Sequence, residues 1–344
     1  MTKLTTLQPK KIAIFRALQI GDMLCAIPAL KALRHACPDA HVTLIGLPWA
    51  ESLVRRFGEY LDDFIPFPGY PGLPEQTWQP AQIPGWMQTV IGRKFDLLLQ
   101  LHGNGAIVNP LVAVLGAGTV AGFYEPGRYC PDPAWFTPYP EEGSEVRRLL
   151  RLTEFLGAPS RGEELEFPVT AGEEQQYEAL CRRYGLQPKK YVCVHPGARD
   201  TRRWWSAAHF ARAADEVADK GFAVVLTGTP AEGETVQSVA AAMRNPSVNL
   251  AGKTDLGTLA VLVRNARMIL SNDTGVSHVA AAVRTPSVVI FLASDPQRWA
   301  PLDRHRHQVI LPHESEQLDY VLGCVDRALF DSEAEALSAG SVGR

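Results

Sequence analysis

No run of about 18 apolar residues occurs in this chain, so the sequence holds no candidate membrane-spanning helix. The first eleven residues are polar and lack the apolar core of a secretory signal, which points to a chain that stays in the cytoplasm. An excess of one charge is also missing. The 34 Lys and Arg stand against 37 Asp and Glu, for a net charge of −3. The basic residues are dispersed and leave no footprint for nucleic acid. The six cysteines (Cys25, Cys37, Cys130, Cys181, Cys193, Cys324) form no CxxC pair and no zinc spacing, so they read as free thiols in a reducing compartment. What the chain does have is 344 residues that are 46% hydrophobic and 21% charged, enough for two α/β domains with ample cores.

Short apolar runs alternate with helical patterns throughout. Lys11 to Phe15, His41 to Ile45, Asp63 to Pro66 and Phe95 to Leu101 read as strands, and a helix is expected from Asp22 to about Ala36. Two segments rich in proline and aromatics, 67–86 and 123–140, break this pattern. A Gly-, Pro- and charge-rich stretch from Gly157 to Thr170 reads as a linker, after which the alternation restarts at Tyr191 to Val194. The expectation is an α/β protein of two Rossmann-like domains facing each other across a cleft, over residues 1–165 and 166–330, with a frayed tail over 331–344. Ligands of such folds sit at the carboxyl ends of the strands.

Two common phosphate loops fail when tested. The loop after the first strand reads Arg16-Ala17-Leu18-Gln19-Ile20-Gly21, not G-x-G-x-x-G. Gly252-Lys253-Thr254 ends like a Walker A loop, but Ser247 stands where its first glycine is required, so Thr254 reads as a helix cap. A third loop is more promising. Ser271 to His278 has the order strand, tight turn, helix, and a helix opening on Thr274-Gly275 offers free N–H groups to a phosphate. Asp273 suits that anion poorly and reads as a cap or loop organiser. The loops carrying Arg16, Gly21 and Asp22, then Arg202 and Arg203, then Glu232, supply cations, glycine turns and carboxylates.

Together the segments Ile12–Pro28 (IAIFRALQIGDMLCAIP), His195–Trp204 (HPGARDTRRW), Asn249–Leu256 (NLAGKTDL) and Asn272–Pro286 (NDTGVSHVAAAVRTP) resemble the family 9 glycosyltransferases, the ADP-heptose:lipopolysaccharide heptosyltransferases among them. The resemblance implies a GT-B fold, and an inverting transfer without a bound metal or other cofactor. The substrates it implies are a nucleotide-sugar donor carrying a heptose and a lipopolysaccharide-core or similar glycan acceptor. It puts the general base on Asp22, where an acceptor hydroxyl must lose its proton. It puts the donor on Arg202, Arg203, Glu232, Thr254, Asp273, Thr274, Gly275 and His278. Cations and helix N–H groups there stabilise the leaving diphosphate by about 3 kcal/mol per well-placed donor. Arg16, Gly21 and His102 fall on the acceptor side.

Departures from the family pattern are Arg202, where lysine is usual, and Trp205, where proline is usual. The plain alternatives are Asp22 as an N-cap, Arg202 and Arg203 as solvated charges, and His102 and His278 as structural histidines. Trp78, Trp86, Trp135 and Phe136 suit an acceptor groove, a peripheral contact with the inner membrane, or plain packing. Two other functions fit the same architecture: a nucleotide-sugar epimerase and a non-catalytic nucleotide-sugar-binding module.

Overall fold

The computed structural model describes residues 2–341, with side chains through Phe330. The chain divides into two compact units, Met1–Glu164 and Leu165–Arg344.

The first unit has six strands, β1 (Lys11–Phe15), β2 (His41–Gly46), β3 (Asp63–Pro66), β4 (Leu97–Gln100), β5 (Thr119–Tyr124) and β6 (Phe136–Pro138). Its helices are α1 (Lys3–Leu7), α2 (Ile20–Ala36), α3 (Glu51–Arg56), α4 (Ile83–Gly92), α5 (Val108–Ala113) and α6 (Glu145–Leu156). The strands pair in parallel in the order β3-β2-β1-β4-β5-β6. A parallel sheet is covered on both faces, and β1 shows it: only Lys11 of its five residues is exposed.

The second unit has strands β7 (Tyr191–His195), β8 (Ala223–Leu226), β9 (Ser247–Asn249), β10 (Ile269–Asn272), β11 (Ser287–Ile290) and β12 (His307–Ile310). Its helices are α7 (Ala171–Tyr184), α8 (Ala207–Asp219), α9 (Gly233–Ala242), α10 (Leu256–Asn265), α11 (Gly275–Ala282), α12 (Pro296–Trp299), α13 (Pro312–Ser315) and α14 (Leu318–Ser341). Its parallel sheet runs β12-β11-β10-β7-β8-β9. Numbered from each unit's own first strand, the two orders are the same. Alternate residues serve opposite faces. Val192 and Val194 join one core cluster with Leu226 and Leu270, while Tyr191 and Cys193 join another with Val225 and Ile269.

Several expectations need correction. The polar N-terminus does not lead straight into β1 but forms α1, capped by the Thr2 side chain. Both irregular segments carry regular structure: α4 starts at Ile83, and the second segment includes the end of β5 and all of β6. Strands β6 and β12 are short, and β6 lies inside a proline- and aromatic-rich stretch, so their sequence signal is weak. The tail expected to fray is helical as far as Ser341, and 342–344 lies outside the described residues. Trp86 and Phe136 are core residues, whereas Trp78 is 42% exposed.

Candidate functional site

In a sheet of this order the chain reverses direction between the first and fourth strands, and the loops leaving those strands part to form a crevice. In the first unit that position lies between β1 and β4. Asp22 stands there, the third residue of α2, with its carboxylate in the first helical turn where the dipole favours an anion. It is not the N-cap. That position is Gln19, which makes no side-chain cap bond. Gly21 is buried beside it, while the Asp22 side chain keeps 24% of its exposure.

Arg16 is fully buried and turned into the protein, which corrects the expectation of a cation offered to a ligand. Its Nε and Nη2 donate to the Asp22 carbonyl at 3.1 and 2.8 Å, its Nη1 donates to the Leu101 carbonyl, and Nη2 also reaches Glu145 Oε1 at 3.2 Å. The Asp22 carboxylate lies 4.0 Å from the same Nη2. Glu145 gives its other oxygen to Arg148 at 2.8 Å. His102, at the end of β4, is buried and accepts the Ala17 N–H on Nδ1 at 3.2 Å. Burial first, and the Arg16 cation second, lower its pKa to about 3, so the ring is neutral and fastens the two loops together. Its place is structural.

In the second unit the same position lies between β7 and β10. His195 ends β7 with Nδ1 3.0 Å from Thr227 Oγ1 and Nε2 3.7 Å from Glu232. Burial lowers its pKa despite the opposing Glu232 charge. Glu232 also accepts the Thr229 N–H and hydroxyl, at 2.7 and 2.9 Å. Gly197 lies so close that a Cβ there would stand 2.3 Å from the Glu232 carboxyl carbon, so a larger residue would displace the Glu232 side chain from its present position. Glu234 is exposed in the first turn of α9.

Arg203 and Asp273 come together. Arg203 Nη1 reaches the Asp273 carboxylate and carbonyl, each at 3.3 Å, and the Ser294 hydroxyl donates to the same carboxylate. Asp273 is therefore a loop organiser, since none of its bonds caps α11. The N-cap is Thr274, whose side chain makes no cap bond, so the first turn from Gly275 keeps N–H groups without a side-chain acceptor. His278 is buried one turn on, its ring edge-on to Trp299 at 6.4 Å. Arg202 stands apart, its side chain 81% exposed and forked onto Asp200, whose pKa falls to about 2 through those hydrogen bonds. Thr254 precedes α10 but does not cap it: Asp255 does, accepting the Thr258 N–H at 2.7 Å. An aspartate's oxygens reach the third helical N–H as well as a threonine's, and here the chain turns helical one residue later.

Sequence reasoning missed Asn272, which accepts the Trp205 N–H at 3.0 Å and donates to the Pro196 carbonyl at 2.7 Å, tying the two loops of this site together. Its signal was a polar residue ending an apolar strand. Trp205 is buried, its indole N–H donated to the Ser315 carbonyl at 3.0 Å, so the departure from proline fills a core position. Among the described residues no group of three or more His, Cys, Asp or Glu side chains gathers as a metal site. No described helix is long and apolar enough to cross a membrane.

The family model for glycosyltransferase family 9 (heptosyltransferase) matches residues 86–327, more than half of the chain. The chain belongs to this family. This glycosyltransferase is 24% identical over 318 residues to lipopolysaccharide heptosyltransferase 2 of Escherichia coli, covering 87% of each chain. Its structure resembles that of the E. coli ADP-heptose lipopolysaccharide heptosyltransferase II, with a TM-score of 0.75 at 22% identity, over 94% of this chain and 99% of the other. A family 9 glycosyltransferase from Veillonella parvula gives the same TM-score at 19% identity, over 94% and 98%. The fold of this family 9 enzyme is GT-B.

Proposed function

We propose that this glycosyltransferase moves a heptose from ADP-heptose to a lipopolysaccharide-core acceptor, with inversion at the anomeric carbon, at the inner face of the cytoplasmic membrane. The observation that supports it best is the likeness to a lipopolysaccharide heptosyltransferase over 87% of both chains. Asp22 removes the acceptor hydroxyl's proton as its oxygen attacks C1 of the donor sugar, and the sugar–phosphate bond breaks toward the nucleotide. The second unit stabilises the departing diphosphate. The open first turn of α11 at Thr274 and Gly275 and the Arg203 guanidinium are aimed at charge that develops only as the bond breaks. Glu232 holds the donor ribose with the oxygen that Thr229 does not use. Arg202 reaches the diphosphate after exchanging Asp200 for it. No metal is required, because side chains and helix N–H groups carry the charge.

Incubation of the purified enzyme with ADP-heptose and a heptose-deficient lipopolysaccharide is expected to release ADP in step with heptose incorporation, unchanged by EDTA. ADP-heptose that is altered without acceptor, or nucleotide binding without transfer, overturns the proposal.

A further inference from the structure

The first unit buries more charge than a base alone requires. Arg16 is fully buried, and Arg148 and Glu145 are each 2% exposed. Buried charges are tolerated when they are paired and hydrogen-bonded, and each of these is. Arg148 donates to the Pro140 carbonyl at 2.8 Å and the Glu141 carbonyl at 3.1 Å, lies over the Tyr139 ring at 4.8 Å, and meets Glu145. Glu145 therefore bridges two guanidinium groups. Two cations against one carboxylate leave a positive charge over, and the Asp22 carboxylate 4.0 Å from Arg16 balances it. The four residues are neutral together only when Asp22 is ionised.

Resting on the reading of Asp22 as base, we infer that Glu145 is a positioning residue for the transfer: clamped by Arg148, it fixes the Arg16 guanidinium, which holds Asp22 in place and charged. The geometry supports a chain of command rather than general packing. Arg16 makes four bonds, two of them to the backbone of Asp22 itself and one to the backbone end of β4. An arginine has the fork to make them all, and a lysine does not. If Glu145 is lost, Arg16 keeps its bonds to the Asp22 and Leu101 carbonyls but loses the carboxylate at 3.2 Å that shares its charge and ties it to Arg148.

The test is the pH profile of kcat, whose acid limb reports ionisation of the base. Among the charged and titratable groups of this cluster, Arg16 on the β1 loop lies 4.0 Å from the Asp22 carboxylate, and Glu145 and Arg148 on α6 and His102 on the β4 loop act on or through Arg16. His102 stays neutral over the assay range. Arg16→Met removes a cation and moves the acid limb up by about one pH unit; Glu145→Gln removes an anion and moves it down. Arg16→Lys keeps the charge, leaves the limb in place, and lowers kcat by roughly tenfold to a hundredfold with donor KM unchanged, because the geometry is lost. Thermal melting identifies any variant that fails to fold, and Arg16→Lys with Glu145→Gln then suffices. A limb that moves the same way in Arg16→Met and Glu145→Gln, or in neither, overturns the inference while an inactive Asp22→Asn leaves the base reading standing. A fully active Asp22→Asn removes the base reading, and this inference with it.

Discussion

The two units share one strand order and put different chemistry at the same place in it. At the crossing between β1 and β4 the first unit buries its charges and leaves one carboxylate partly exposed. At the crossing between β7 and β10 the second leaves the first turn of α11 without a side-chain cap and keeps Arg202 and Arg203 at least partly exposed. The topology supplies a location in both cases, and the loop residues decide its use. On the proposed assignment Asp22 is a base that needs a fixed position and a defined charge state, and its neighbour Arg16 is internal and hydrogen-bonded. On the same proposal the second unit holds a diphosphate, which needs donors with capacity left over, and the first turn of α11 has no side-chain cap.

Asp22→Ala is the change expected to separate the units most sharply. Transfer falls by about 10²- to 10⁴-fold, the usual worth of a positioned general base. ADP binding, followed by calorimetry, stays within twofold of the original. Loss of both together would erase the division of labour. Arg203→Ala tests the other half. It leaves Asp273 with only the Ser294 hydroxyl on its carboxylate, so a loss of about 1–3 kcal/mol in stability is expected. ADP should bind roughly tenfold more weakly, and the acid limb of kcat should not move.

Acid sensitivity should be shared. His102 in the first unit and His307 in the second are buried, with pKa values lowered to about 3 and about 4, burial being the main cause in each. The unfolded imidazole takes a proton near pH 6.5 and the folded one does not. Stability is therefore full above that pH and falls as pH drops from about 6.5 toward 4. At pH 5 each histidine is expected to cost on the order of 1–2 kcal/mol, read as a lower midpoint in denaturant melts. Buried His195 shares the same sign, so His102→Gln should reduce the slope without abolishing it; an unchanged slope would show that His102 charges without cost. Arg202→Ala is the smallest effect, a few-fold loss in ADP affinity with no change in melting, because that side chain is 81% exposed and its partner Asp200 is a surface group.

Much of the fold was legible because parallel strands are short apolar runs buried on both faces, and β1, β2, β3 and β7 lie within a residue of where the pattern puts them. Strand β6 was not, since its three residues lie inside a proline- and aromatic-rich stretch, nor was β12, where His307 and Gln308 precede only two apolar residues. The positions of Asp22, Thr274 and Gly275 at strand-to-helix turns followed from the chain alone, as local turn and helix signals are contained in consecutive residues. Which side chains meet did not. Arg16 and Glu145 are 129 positions apart and Arg203 and Asp273 are 70 apart. In the sequence Arg16 and Arg203 are both cations beside a site. Packing turns one inward onto Asp22 and Glu145 and leaves the other partly open, because burial admits a charge only where enough partners converge on it.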